Sequence, residues 1–166
     1  MGNSKLKTTV ITALLTALNI VISRILIIPI PFTHGNINLC DAGIFIVALL
    51  YGPWAGLFTG ALSGFVLDLI SGYSQYMFFS LLIHGLEGWI VGKIAQKENI
   101  KFQWRIVSAM IMGVIIMVSG YFCADSILYN ISVGALAIPI NCIQGIAGII
   151  VAWIIVPILK RTIKLL

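Results

Sequence analysis

Charge is scarce in this chain. Only 9% of its 166 residues are charged, and just five of those are acidic. A water-soluble domain carries roughly a quarter charged residues, so this composition excludes a surface built for water. With 60% hydrophobic residues and a mean hydropathy of +1.11, the solvent for most of the chain is lipid. Cysteine is scarce too. Cys40, Cys123 and Cys142 are odd in number and lack metal-type spacing, which argues against a complete disulfide framework; they read as small packing residues of a membrane interior. Catalytic signatures are missing: there is no HExxH for a zinc protease and no Walker A loop for a nucleotide. The run GALSG at 60–64 resembles a membrane serine-protease signature only loosely and with the wrong spacing, so Ser63 reads as a packing residue. No enzyme activity, metal or cofactor is expected. Without a nucleotide site, uphill transport must draw on an ion gradient or on another subunit. The inverted repeat of interrupted helices that many secondary transporters use is also missing, which favours a binding subunit driven by a partner.

What is present is apolar sequence in long runs. A spanning helix takes about 20 mainly apolar residues, and the chain has room for six with short loops. Helices are expected at about 8–28, 39–51, 53–71, 75–92, 104–126 and 135–159, forming one all-α membrane domain over 1–166, a compact six-transmembrane-helix bundle. Pro29 and Pro31 stop the first helix, and a polar loop follows over 29–38. Gly52-Pro53 makes a tight turn, with Pro53 suited to a first helical position. Lys5 and Lys7 before an apolar run could mimic a signal peptide, but the run continues to about Ile28 without a small-x-small cleavage pattern. A retained first helix is expected.

The charges orient the bundle. Six spans place Lys5, Lys7, Lys93, Lys97, Lys101, Arg105, Lys160, Arg161 and Lys164 on one side, nine of the ten basic residues, with Arg24 near the other face. The positive-inside rule makes the basic side cytosolic, so both termini are expected in the cytosol of a cell whose plasma membrane this multi-pass chain crosses. The net charge of +5 then addresses anionic lipid headgroups rather than nucleic acid.

The third helix carries a row of Gly52, Gly56, Gly60 and Gly64, continued by Asp68 and Gly72. Such a row admits a close neighbour, because lipid supplies no hydrophobic drive and contact area must do the work. Asp68 should therefore point into the bundle. Gly85, Gly88 and Gly92 repeat the device in helix 4, and Gly145, Gly148 and Ala152 in helix 6.

Ionisable groups at membrane depth are costly and face a cavity or a partner. The candidates are Asp41, Asp68, His84, Glu87 and Asp125, joined by Asn141, Gln144 and Tyr121. His84 and Glu87 are three apart on one helix face, as are Asn141 and Gln144, while Tyr121 and Asp125 are four apart. Together they outline a polar pocket open to the exterior and roofed by the 29–38 loop with His34, Asn36 and Asn38. Blander readings stand beside this one. His84–Glu87 could be a structural tether, Asp41 a helix-dipole partner, and Asn141 and Gln144 interhelical hydrogen-bond glue.

Several local patterns carry a family resemblance over essentially the whole chain. Ala13 and Ala17 form an AxxxA element. NLCDAGIFIVALLYGPWAGLFTGALSGFVLDLISGYSQ, IHGLEGWIVGKI and ALAIPINCIQGIAG follow in order. In these the sequence resembles the substrate-binding S components of energy-coupling factor (ECF) vitamin transporters. The resemblance implies capture of a vitamin or precursor from outside, and partnership with a transmembrane T component and two cytosolic ATPases. It also implies docking through Ala13 and Ala17, and gating by the first loop. The pocket residues suit a small neutral heterocycle with hydroxymethyl groups better than an anion. Among S components the sequence looks closest to those for hydroxymethylpyrimidine or pyridoxine. An independent secondary transporter and an intramembrane enzyme are the competing classes.

Overall fold

The computed structural model describes residues 2–30, 35–96 and 102–164. Pro31, His34, Lys97 and Lys101, named above, lie outside the described residues. The described chain forms six helices: α1 (Gly2–Ile25), α2 (Cys40–Tyr51), α3 (Pro53–Ser71), α4 (Met77–Ala95), α5 (Phe102–Leu128) and α6 (Ile131–Lys164). All but α2 are long and apolar enough to cross a membrane. The 12 residues of α2 reach only about 18 Å, short of the roughly 30 Å hydrocarbon layer. That helix is instead the centre of the bundle. It packs on α1, α3, α4 and α6, with Ile44, Phe45, Val47 and Ala48 all buried.

Several boundaries differ from the sequence expectation, three of them for a physical reason that the local residues supply. The first helix ends at Ile25 rather than near Ile28, because Ile28 precedes Pro29 and a residue before proline is pushed out of the helical region. Ile28–Ile30 instead becomes β1, antiparallel to β2 (Gly35–Ile37), with Ile28 opposite Ile37 and Ile30 opposite Gly35. The bundle therefore carries a small two-stranded ribbon where a plain loop was expected. Helix α4 starts at Met77, since residues 74–76 are held in a turn by the Tyr76 N–H donating to the Tyr73 carbonyl at 2.8 Å. Helix α6 starts at Ile131, earlier than expected, because the Asn130 side chain accepts from the N–H groups of Ser132 and Val133 at 3.0 and 3.1 Å, an effective N-cap.

The glycine row chooses α4 as its neighbour. A methyl group on Gly56 or Gly60 would collide with the backbone carbonyl of Gly88 or His84, and one on Gly64 would lie 2.7 Å from the Ser80 carbonyl. Gly88 and Gly92 face back onto Gly56 and Pro53. The two helices thus touch backbone to backbone, as small-residue membrane interfaces do. Gly72 closes α3 with φ of 85°, a left-handed cap that glycine adopts without strain. In α6, Gly148 lets α2 approach: a methyl group there would lie 2.9 Å from Asp41 Cβ. The close fit delivers Asp41 to the middle of the bundle.

Helix α1 is peripheral, and among the described residues it packs chiefly on α2 and α3. Its inner stripe is polar. The Thr16 hydroxyl lies 2.9 Å from the Thr59 hydroxyl, and Asn19 Nδ2 donates to Ser63 Oγ at 3.1 Å and to the Cys40 carbonyl at 3.2 Å. Ser63 is accordingly a buried packing residue. The outer side of α1 exposes Leu14, Leu18 and Ile25.

Candidate functional site

Because α2 is short, the chain leading into it enters the bundle rather than staying at its surface. Asn38 Oδ1 accepts from the Cys40 N–H at 2.7 Å and anchors that entry. The Asn38 backbone N–H donates to Gln144 Oε1 at 3.0 Å, about 20 Å along α6 from its first residue. Gln144 Nε2 in turn donates to Asp41 Oδ2 at 2.7 Å. Since a backbone N–H can only donate, the Gln144 amide has a single consistent orientation, and its NH₂ is committed to Asp41.

On α4 the three-residue spacing places His84 and Glu87 side by side, with His84 Nδ1 2.7 Å from Glu87 Oε2. The same nitrogen lies 3.5 Å from Asp41 Oδ1. On the far edge of the ring, Nε2 meets the Tyr121 hydroxyl at 3.0 Å, and that hydroxyl meets Ser80 Oγ at 2.6 Å. Toward the end of the cleft the Tyr76 hydroxyl donates to Asp125 Oδ1 at 2.5 Å. Tyr76 and Tyr121 are also ring neighbours, 6.4 Å apart.

These groups surround a cleft lined by Asn36, Asn38, Asp68, His84, Tyr121, Asp125, Asn141 and Gln144, with Leu67, Ala137 and Ile140 as its apolar wall. Among the described residues no lysine or arginine lines it. About 50 Å³ is free to a water-sized molecule, space for a few waters at roughly 10–15 Å³ each. The side chains are closed down upon one another.

The predicted site residues other than His34, which lies outside the described residues, therefore divide into three sets. Asn36, Asn38, Asp68, His84, Tyr121, Asp125, Asn141 and Gln144 face the cleft. Asp41 and Glu87, fully buried, do not line it and adjoin it through Gln144 and His84. Ala13 and Ala17 are elsewhere, exposed on α1 in an apolar groove of about 600 Å³ whose other side is Trp54, Phe58, Leu62 and Val66 of α3. Sequence reasoning missed Ser80, Tyr76, Tyr73 and Cys40, which also line the cleft or bond its members. Ser80 lies four residues before His84, so helical spacing could have found it. Tyr76 sits in a turn, where no periodicity points.

The comparisons with known proteins bear on this geometry directly. The family model for the ECF-type riboflavin transporter S component matches residues 3–161. This chain belongs to that family of S components. It is a transporter component and a multi-pass membrane protein, with at least five helices able to cross a bilayer. The thiamine precursor transporter HmpT of Lactococcus lactis is 33% identical over 98% of this chain and 93% of its own length. An uncharacterized protein of Pyrococcus woesei is 37% identical over 82% of this chain and 90% of its own. A UPF0397 protein of Streptococcus agalactiae is 34% identical over 61% of this chain and 55% of its own.

Proposed function

We propose that this S component captures a small neutral heterocycle bearing hydroxymethyl groups, hydroxymethylpyrimidine or pyridoxine, from outside the cell. Delivery inward would use a T component and two ATPases in the cytoplasmic membrane of a bacterium. The observation that carries the reading is the cleft. It offers amide, imidazole, phenol and carboxylate groups at fixed positions against an apolar wall, the arrangement a small-molecule site requires, and, among the described residues, no cation to meet an anionic vitamin. The name of the Lactococcus relative, a thiamine precursor transporter, points the same way. In this reading Asn36, Asn38, Asp68, His84, Tyr121, Asp125, Asn141 and Gln144 touch the ligand, Asp41 and Glu87 hold them from behind, and the first loop, with His34, closes above.

The groove on α1 supports the partner half of the proposal. Ala13 and Ala17 leave its floor low, so another helix can approach the α1 backbone closely. The T component is its occupant. All six helices cross or enter the membrane with both termini in the cytosol. Single cysteines at Gly35 and Lys97 should react with impermeant thiol reagents from outside and from the cytosolic side respectively; labelling of both from one side refutes that topology. The function is tested by uptake of labelled hydroxymethylpyrimidine or pyridoxine into cells expressing this chain with and without a T component and ATPases. Uptake of one of them only with all components present is expected, and uptake by this chain alone would make it an independent transporter.

A further inference from the structure

Asp41 and Glu87 lie beneath the cleft floor and His84 forms part of it, with relative exposures of 0%, 0% and 4%. One ligand atom from each falls within 4.8 Å of the others. Two carboxylates at this depth are a costly pair unless positive charge lies between them. Among the described residues His84 is the ion-pair partner of both, and one imidazole supplies at most one positive charge.

The surroundings hold the cluster from outside and leave two of its carboxylate oxygens unmatched. Gln144 occupies Asp41 Oδ2 from outside the cluster, while Asp41 Oδ1 and Glu87 Oε1 are buried without a hydrogen-bond partner. Tyr121 occupies His84 Nε2. With Nε2–H donated to the Tyr121 oxygen, the Nδ1 lone pair faces the two carboxylates and is free for a cation. With the proton on Nδ1 the ring donates to Glu87 Oε2 at 2.7 Å, so a metal binds by displacing that proton. Metal-ligating histidines usually have their second nitrogen held by a neighbour in this way, and ligating carboxylates are likewise hydrogen-bonded from outside.

We propose that Asp41, His84 and Glu87 form a buried site for one divalent transition-metal cation of the Zn²⁺ type. One imidazole nitrogen and two carboxylate oxygens are a three-protein-ligand set, and zinc accepts such a set with a fourth position open. Calcium asks for six to eight oxygens and magnesium for a near-ideal octahedron of them, which this enclosed mixed-donor set does not supply. Donor atoms around tetrahedral zinc stand about 3.4 Å apart. Asp41 Oδ1 is already 3.5 Å from His84 Nδ1, whereas the Glu87 carboxylate, 2.7 Å from that nitrogen, must rotate away from it to make room for the ion. A dication with a neutral imidazole brings the three residues to overall neutrality. It would also fix His84 and, through Asp41, Gln144 at the cleft floor.

The test uses the full chain in detergent with any affinity tag removed. Protein stripped with a chelator is titrated with Co²⁺, read by its visible d–d bands, then with Zn²⁺, and bound metal is counted by mass spectrometry. One equivalent per chain is expected, with the Co²⁺ bands lost on adding Zn²⁺. Asp41→Asn and Glu87→Gln should each weaken Co²⁺ binding at least about 100-fold, and Gln144→Ala, which releases Asp41, by about 10–100-fold. Wild-type protein that binds neither metal overturns the proposal and leaves a proton shared within the cluster as its counter-charge. Both carboxylate-to-amide substitutions are near-isosteric, and a monodisperse variant that binds Co²⁺ as the wild type does overturns it equally. No vitamin enters the experiment, so its failure is separate from failure of the transport reading.

Discussion

The cleft beside α2 and the groove between α1 and α3 are built to opposite rules. In the cleft, polar groups from α3, α4, α5, α6 and the chain entering α2 converge, and most are already bonded to one another. In the groove, Ala13 and Ala17 lie low between exposed Trp54, Phe58 and Leu62, and the buried Thr16 and Asn19 of α1 are bonded inward to Thr59 and Ser63. A polar cavity gives a small molecule direction; a low apolar groove gives a partner helix area. Helix α3 joins the two: its glycine side presses on α4, which carries His84 and Glu87, while its other side frames the groove. In the proposed reading, ligand capture and partner docking occupy opposite sides of one helix, and each can be disturbed alone.

The largest effect should come from the shared wall. Gly60→Leu drives a side chain into the His84 backbone, an overpacking that ought to cost at least about 3 kcal/mol. Thermal unfolding in detergent should show severe loss of stability or no monodisperse protein, whereas Phe58→Ala, on the exposed side of α3, should melt within a few degrees of the wild type. A stable Gly60→Leu protein would mean that α3 and α4 are not in backbone contact.

Next is the groove. Ala13→Trp or Ala17→Trp should abolish uptake while the isolated chain still binds its ligand as the wild type does. Loss of both would mark these alanines as internal packing and erase the contrast between the two sides. The smallest effect is expected in the cleft. Gln144→Ala or Asn141→Ala should weaken ligand binding by about 1–3 kcal/mol, roughly tenfold to a hundredfold, because a buried polar group loses its match. Unchanged affinity in both, measured by equilibrium binding, would return them to the role of interhelical glue.

How much of this could be read from sequence depends on whether the relation is local. The three-residue spacing of His84 and Glu87 announces a shared face, and their 2.7 Å contact follows from helix geometry alone. The glycine row announces a close neighbour, though not that the neighbour is α4. The bond between Gln144 and Asp41 joins residues 103 positions apart, and nothing in either neighbourhood encodes it. Only the shortness of α2 and the close approach at Gly148 bring the two together. The β1–β2 ribbon was hidden for a different reason: a proline-bearing stretch of a few residues reads equally well as loop or as short paired strands. Tyr76 was hidden because a turn has no period.

The central claim, that the cleft is fitted to a one-ring neutral heterocycle, is tested most directly by equilibrium binding of radiolabelled hydroxymethylpyrimidine and pyridoxine to the purified chain, with riboflavin and folate as competitors. The account predicts that one of the two labelled ligands binds tightly at one site per chain and that neither riboflavin nor folate displaces it. Tight binding of riboflavin in preference to both would contradict the account.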